Sequence, residues 1–286
     1  VTPDAAAPPT ALTPADALPS IDLRLIAVDM DGTLLDANGA VPDDLWPLLD
    51  DLHDRGIAFA PASGRQYATL RRDFDSHADG MVFIAENGAL VMRDGVELSA
   101  DLLERDIVAE VVRLVRTIDA DAGLVLCGKR GAYIERSDAA FRTEAHRYYA
   151  ALEVVDDLLA VDDEIVKLAV FDFAGAEASA FPALAHLRAT HQVVVSGECW
   201  VDVLNVGVNK GHALTRLQQT LGVTAEQTVA FGDYLNDLEL MDAAAHSFAM
   251  ANAHPDIVAR ARYVAPSNRD HGVITVLRSI LDRLGA

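Results

Sequence analysis

Leu25-Ile26-Ala27-Val28-Asp29-Met30-Asp31-Gly32-Thr33 is the stretch whose reading decides the fold. Its apolar half reads as a buried strand, and the strand ends on two carboxylates. Residues i and i+2 of a strand face the same way, so Asp29 and Asp31 are expected side by side at its carboxyl end. Gly32 lets the chain turn sharply, and Thr33 can bond back to the backbone. Open α/β sheets hold their ligands just beyond the carboxyl ends of strands. An Asp-x-Asp-Gly run also occurs in plain turns and in calcium loops. The calcium pattern demands more oxygen ligands and a Glu at its twelfth position. Here Leu34 and Leu35 follow, and Ala40 stands where that Glu belongs, which argues against calcium.

Outward from this stretch, the pattern alternates strand and helix. Pro42, Asp43 and Asp44 suit a helix start, Leu45, Leu48, Leu49 and Leu52 recur at helical spacing, and Gly56 closes the helix. A second strand over 57–60 leads to Ala62-Ser63-Gly64-Arg65 and a helical stretch to about residue 74. A third strand over 81–85 runs into Glu86-Asn87-Gly88-Ala89. Strand, helix, strand is the signature of a parallel sheet. The rhythm then changes. A hairpin is expected over 90–98, a long helix over 101–118, a second hairpin over 124–135 and a helix over 138–152. A strand over 164–173, a helix over 177–190 and strands over 192–196 and 200–205 follow. Hairpins mixed with helices predict an α+β unit inserted over 89–205 into an α/β core of 21–88 and 206–286. The α/β rhythm returns at Asn209-Lys210-Gly211, opening a helix to about residue 221. Next comes a strand that ends on Gly232-Asp233, then helix, strand, helix, strand and a last helix over 271–284. Residues 1–20, rich in Ala and Pro, are expected to form a flexible tail.

Composition narrows the partners. The 286 residues carry a formal charge of −21, which argues against a nucleic-acid groove or an anionic membrane surface. Cys127 and Cys199 form no C-x-x-C pair, so neither a disulfide framework nor a zinc site is implied. No apolar run approaches a membrane span, and no signal peptide is visible, so the expected location is cytoplasmic. Only three lysines occur, Lys129, Lys167 and Lys210, so a lysine at a motif position carries weight. His53, His77, His186 and His191 are dispersed and expected at the surface, with no metal role.

Taken together, DMDGT (29–33), ASGR (62–65), NKG (209–211) and GDYLND (232–237) resemble the haloacid dehalogenase superfamily, and within it the Cof-type phosphatases. ENGA (86–89) and SNRDHGV (267–273) reinforce the likeness, which covers the chain from Ile21 onward. DMDGTLL, ASGRQY and AENGALV look like the sugar-phosphatase subgroup. The resemblance implies a Rossmann-like parallel-sheet core with an α+β cap as the insert. It implies a Mg²⁺-dependent phosphatase of small phosphorylated metabolites, sugar phosphates favoured, acting as a monomer or small homo-oligomer. Asp29 would be the nucleophile that forms an aspartyl-phosphate, and Asp31 the acid and base. Asp29, the backbone carbonyl of Asp31, and Asp233 would hold Mg²⁺. Lys210, Ser63, Asn236 and the N–H groups of Met30 and Gly64 would hold the phosphate. Thr33 and Asp237 would support that set, with Asp237 orienting Lys210. Asn87 is expected to fix the hinge into the insert, and Asn268 and Asp270 to tie the last loop to the site's edge. In the cap, Arg65, Lys129, Arg130, Asp202 and Asn205 are candidates to face the leaving group. Two alternatives remain: a hexose phosphomutase using the same intermediate, and a non-enzymatic phosphometabolite-binding module.

Overall fold

The computed structural model describes residues 10–11 and 21–284. Apart from Thr10–Ala11, the tail expected over 1–20 lies outside the described residues. In chain order the strands are β1 (Thr10–Ala11), β2 (Leu25–Asp29), β3 (Ala58–Ala62), β4 (Val82–Ala85), β5 (Leu90–Arg93), β6 (Val96–Ala100), β7 (Ala122–Gly128) and β8 (Ala132–Ile134). Then come β9 (Leu152–Val154), β10 (Ile165–Asp172), β11 (His191–Val195), β12 (Trp200–Asn205), β13 (Thr228–Gly232), β14 (His246–Met250) and β15 (Tyr263–Ala265). Two sheets result, in the orders β1-β15-β14-β13-β2-β3-β4-β5-β6 and β11-β12-β10-β7-β8-β9.

The chain divides into two compact units, one of 1–63, 73–98 and 209–286, the other of 64–72 and 99–208. In the first, β14, β13, β2, β3 and β4 run parallel, as the βαβ reading requires. All five residues of β2 are buried, because helices cover both faces of a parallel sheet. Each fully buried large apolar side chain contributes about 1.5–3 kcal/mol. One face packs on Ala213, Leu214 and Leu217 of the helix Lys210–Leu221 and on Leu240 and Met241 of the helix Leu238–Ala243.

The hairpin over 90–98, expected in the insert, belongs to the first unit. Its strand β5 pairs antiparallel with β4, Val82 opposite Arg93 and Ala85 opposite Leu90, so the core sheet continues through it. The second unit thus starts at Ser99, runs to Val208, and also takes residues 64–72. Gln66 and Thr69 explain the latter. The Gln66 amide bonds both the carbonyl and the N–H of Ala151, and the Thr69 hydroxyl donates to the Tyr148 carbonyl.

Within the second unit, β10 lies between β7 and β12, antiparallel to both. Leu124, Leu126, Leu168, Val170, Val201 and Val203 fill one face against Ile107, Val108, Val111 and Val112 of the helix Arg105–Thr117. Three expected helices are shorter than their patterns, the one over 177–190 being α-helical only at Ala180–Leu184 before it tightens into a 3-10 turn. The first begins at Arg105, because Leu103 is held extended by its N–H bond to the Ile165 carbonyl. The helix from Ala139 stops at Tyr148, and Leu152–Val154 pairs with β8 instead.

Candidate active site

Three neighbouring strands of the first unit deliver the motif residues at their carboxyl ends. Asp29 closes β2, opposite Ala62 of β3, and Ser63 follows Ala62. On the other side β13 ends at Gly232, next to Asp233. Residues 30–34 do not prolong β2. They wind into one irregular turn in which Asp31 is extended (φ −76°, ψ 119°) and Gly32 is left-handed (φ +80°). The strand alternation expected to pair Asp29 with Asp31 therefore stops at Asp29. Asp29 is 5% exposed, whereas Asp31 is exposed. Only glycine fits at position 32, where a Cβ would meet Asp233 Oδ2 at 2.2 Å in a backbone state that side chains avoid. Thr33 Oγ1 donates to Asp233 Oδ1 at 3.4 Å.

Lys210 opens its helix behind Asn209, whose side chain caps the His212 N–H. Its ammonium is fully buried and donates to Asp29 Oδ1 at 2.5 Å and to Asp237 Oδ1 at 2.7 Å. The second oxygen of Asp237 accepts from the N–H groups of Asp233 (3.1 Å) and Tyr234 (3.2 Å). Asp237 is thus committed to holding Lys210 and the start of its own loop. Carboxylate oxygens of Asp29, Asp233 and Asp237 lie within 4.8 Å of one another.

The electrostatics follow from one cation among three carboxylates. Burial, then the charge of Asp237, pushes the Asp29 carboxyl up to about 8 against the pull of Lys210. Asp233 is pushed up to about 6 by burial and by Asp237. Burial works against the charge on Lys210, yet Asp237 and Asp29 outweigh it and hold the ammonium above its ordinary range. Such a cluster of hard carboxylate oxygens could hold a divalent metal ion.

Ser63 is held from two sides. Its N–H donates to the Ile84 carbonyl and its carbonyl accepts from the Asn87 N–H, both at 2.9 Å. Asn236 is exposed, and its amide reaches Asn87 Oδ1 at 3.5 Å. Asn87, expected to serve the hinge, thus braces two phosphate-binding candidates. It sits in a run of left-handed residues, Glu86 (φ +50°), Asn87 (φ +57°) and Gly88 (φ +96°). Gly88 is required there because a Cβ would lie 2.4 Å from the Asn209 carbonyl oxygen. The last loop is tied in as expected through Asn268, whose amide donates to the Leu35 carbonyl at 2.9 Å. Asn252 was missed by sequence reasoning. Its amide donates to the Gly32 carbonyl at 2.8 Å, and its oxygen accepts from the Asn268 N–H.

In the second unit, the five specificity candidates have dissimilar surroundings. Arg65 is half-buried. Lys129 pairs with Glu164 at 2.8 Å, and the mostly exposed Arg130 with Asp163 at 3.3 Å. Asn205 donates to Asp101 Oδ1 and to the Leu102 carbonyl. Asp202 is buried, 3.8 Å from the buried ammonium of Lys167. Burial raises the Asp202 carboxyl, with Lys167 and the Ser196 hydroxyl opposing. Lys167 was not singled out from the sequence, although a lone charge in Ile165-Val166-Lys167-Leu168-Ala169-Val170 was the signal.

A model of the haloacid dehalogenase-like hydrolase family matches residues 26–277. The chain is 33% identical over 270 residues to the Escherichia coli 5-amino-6-(5-phospho-D-ribitylamino)uracil phosphatase YbjI, covering 91% of this chain and 97% of that protein. It is 30% identical to the HMP-PP phosphatase of Cronobacter sakazakii, over 82% of this chain and 87% of that one. A solved structure from Eubacterium rectale superposes with a TM-score of 0.82 at 27% identity, covering 90% of this chain and 99% of that chain.

Proposed function

This chain belongs to the haloacid dehalogenase-like hydrolase family, and we propose that it is the Mg²⁺-dependent phosphatase of a small phosphorylated metabolite, working through an aspartyl-phosphate on Asp29. That it is a phosphatase follows from its relatives. One observation carries the finer reading: Lys210, Asp29, Asp233 and Asp237 converge at the carboxyl ends of adjacent strands, with Lys210 Nζ 2.5 Å from Asp29.

Phosphate esters hydrolyse very slowly without help, and the loose transition state leaves positioning and charge as the main levers. Asp29 Oδ attacks phosphorus while the bond to the leaving oxygen breaks. Asp31, exposed where Asp29 is buried, gives its proton to that oxygen. It then takes a proton from water, whose oxygen attacks phosphorus as the Asp29–phosphorus bond breaks. Lys210, Ser63, Asn236 and the N–H groups of Met30 and Gly64 hold the phosphoryl oxygens. Thr33 and Asp237 keep Asp233 and Lys210 in place. A Mg²⁺ held by Asp29, the Asp31 carbonyl and Asp233 supplies positive charge against the phosphate and the carboxylates.

The substrate we favour is a monoester on a polyhydroxylated carbon chain, sugar phosphates first. The ribitylaminouracil phosphatases of E. coli and Bacillus subtilis, 33% and 25% identical to this chain, support that direction by their names. Arg65, Lys129, Arg130, Asp202 and Asn205 remain the candidates to set that choice. A panel of phosphomonoesters assayed with Mg²⁺ tests the reading. Asp29→Asn is expected to abolish phosphate release from every member, including an aryl phosphate. Turnover by that variant, or isomerised hexose phosphate in place of free phosphate from the wild type, refutes it.

A further inference from the structure

Two consecutive residues of the ASGR loop are pinned by different means. Ser63 is fixed by its two backbone hydrogen bonds to Ile84 and Asn87. The second unit begins at the next residue, Gly64, and there the Gly64 carbonyl accepts from Lys167 Nζ at 3.0 Å. Gly64 has no side chain to hold it, and glycine loses the most freedom on being ordered. A glycine whose N–H must meet a ligand therefore gains from an external fastening.

Lys167 is built to supply one. It lies on β10, opposite Cys127 of β7, and is 2% exposed. The ammonium is 5.9 Å from the centre of the Tyr149 ring, and the Tyr149 hydroxyl accepts from Cys127 Sγ at 3.4 Å. Asp202, on the neighbouring strand β12, balances its charge at 3.8 Å. A buried cation with a buried counter-ion has little freedom to point elsewhere.

We propose that Lys167 is a positioning residue for phosphate binding. Its ammonium fastens the Gly64 carbonyl and so presets the Gly64 N–H for a phosphoryl oxygen, while Asp202 holds the ammonium in place. The proposal rests on the reading of Ser63 and Gly64 as phosphate-binding residues. It sets Lys167 apart from residues that choose the leaving group, because the fastening serves the phosphate common to all substrates.

The test is steady-state hydrolysis of an aryl phosphate and a hexose phosphate, with competitive inhibition by inorganic phosphate. Loss of a hydrogen bond from a charged donor should raise KM for both esters, and Ki for inorganic phosphate, by about tenfold in Lys167→Met. The value of kcat should change far less, and Lys167→Arg should recover most of the loss. Lys167→Met leaves Asp202 buried without its cation, so the double variant Lys167→Met/Asp202→Asn repeats the measurement without that charge. An unchanged Ki for phosphate in a folded single or double variant overturns the proposal. A rise confined to the hexose phosphate also overturns it, and reassigns Lys167 to the leaving group. Wild-type protein that neither releases phosphate from esters nor binds inorganic phosphate overturns the underlying site reading as well. An active wild type with unaltered variants removes only the role of Lys167.

Discussion

Two of the three lysines are buried, and their company differs. Lys210 sits among Asp29, Asp233 and Asp237, so carboxylates outnumber it and the cluster has charge to spare. Lys167 has Asp202 and the Gly64 carbonyl, which leaves its surroundings balanced. Burial is nearly equal, at 0% and 2% exposure. Burial alone therefore does not distinguish reactive groups from fastening ones. The excess of carboxylates does: on the proposed reading a divalent cation would offset those around Lys210, whereas Lys167 has Asp202 beside it as a counter-ion.

The sharpest way to break this contrast is to remove each ammonium in turn. Lys210→Met should lower phosphate release by roughly 10³-fold or more, since it deletes a charged donor aimed at the phosphoryl group. It should also destabilise the fold by about 3–5 kcal/mol in urea unfolding near neutral pH, having stranded buried carboxylates. If Lys167→Met lowers kcat as much as Lys210→Met, the distinction between the two clusters is lost.

A smaller effect concerns pH and metal. With Mg²⁺ chelated, Asp29 and Asp233 hold protons in the folded state that they release on unfolding, because their carboxyls are raised from 3.8 to about 8 and about 6. The unfolded chain then binds fewer protons, so stability falls as pH rises from about 4 to about 8. Asp202, also raised, adds to the same slope. Asp29→Asn should flatten the curve above about pH 6, where Asp29 dominates. Mg²⁺ at a hundred times its Kd should restore about 2.7 kcal/mol to the wild type, and much less to Asp233→Asn. Melting curves with chelator and with Mg²⁺ across pH 5–9 read both; a flat wild-type profile would contradict the charge surplus.

The least effect is expected at a pair whose basic member is exposed and whose acid is not. Arg130, 68% exposed beside Asp163, should shift the urea midpoint least of these variants on replacement by Ala. A tenfold rise in KM for a sugar phosphate in Arg130→Ala, with the aryl phosphate unaffected, would restore Arg130 as a specificity residue.

The order of strands and the core motifs were legible because parallel strands are short apolar runs and their loops carry the chemistry. Asp29, Lys210 and Asp233 meet as their motifs implied. Asp31 was misplaced in detail, since period-two alternation cannot foresee where a strand yields to a turn. The second unit's boundary was read too early, because a hairpin's sequence does not say which sheet it will extend. Asn252 and the role of Lys167 escaped notice, and Asn87 was given to the hinge alone, because their contacts are with distant partners. Nothing near Lys167 in the sequence points to Gly64, 103 positions away.

The bond between Lys210 and Asp29 spans 181 positions, and that from Asn268 to the Leu35 carbonyl spans 233. Asp29 thus leaves the ribosome well before the partners that hold it. A nascent or stalled chain can bury β2 against β3 and still lack the lysine, Asp233 and the asparagine braces. Closing so long a loop is slow relative to local pairing. On the proposed reading, a chain that stops short of Lys210 would carry the Asp29 carboxylate without the ammonium that pairs with it.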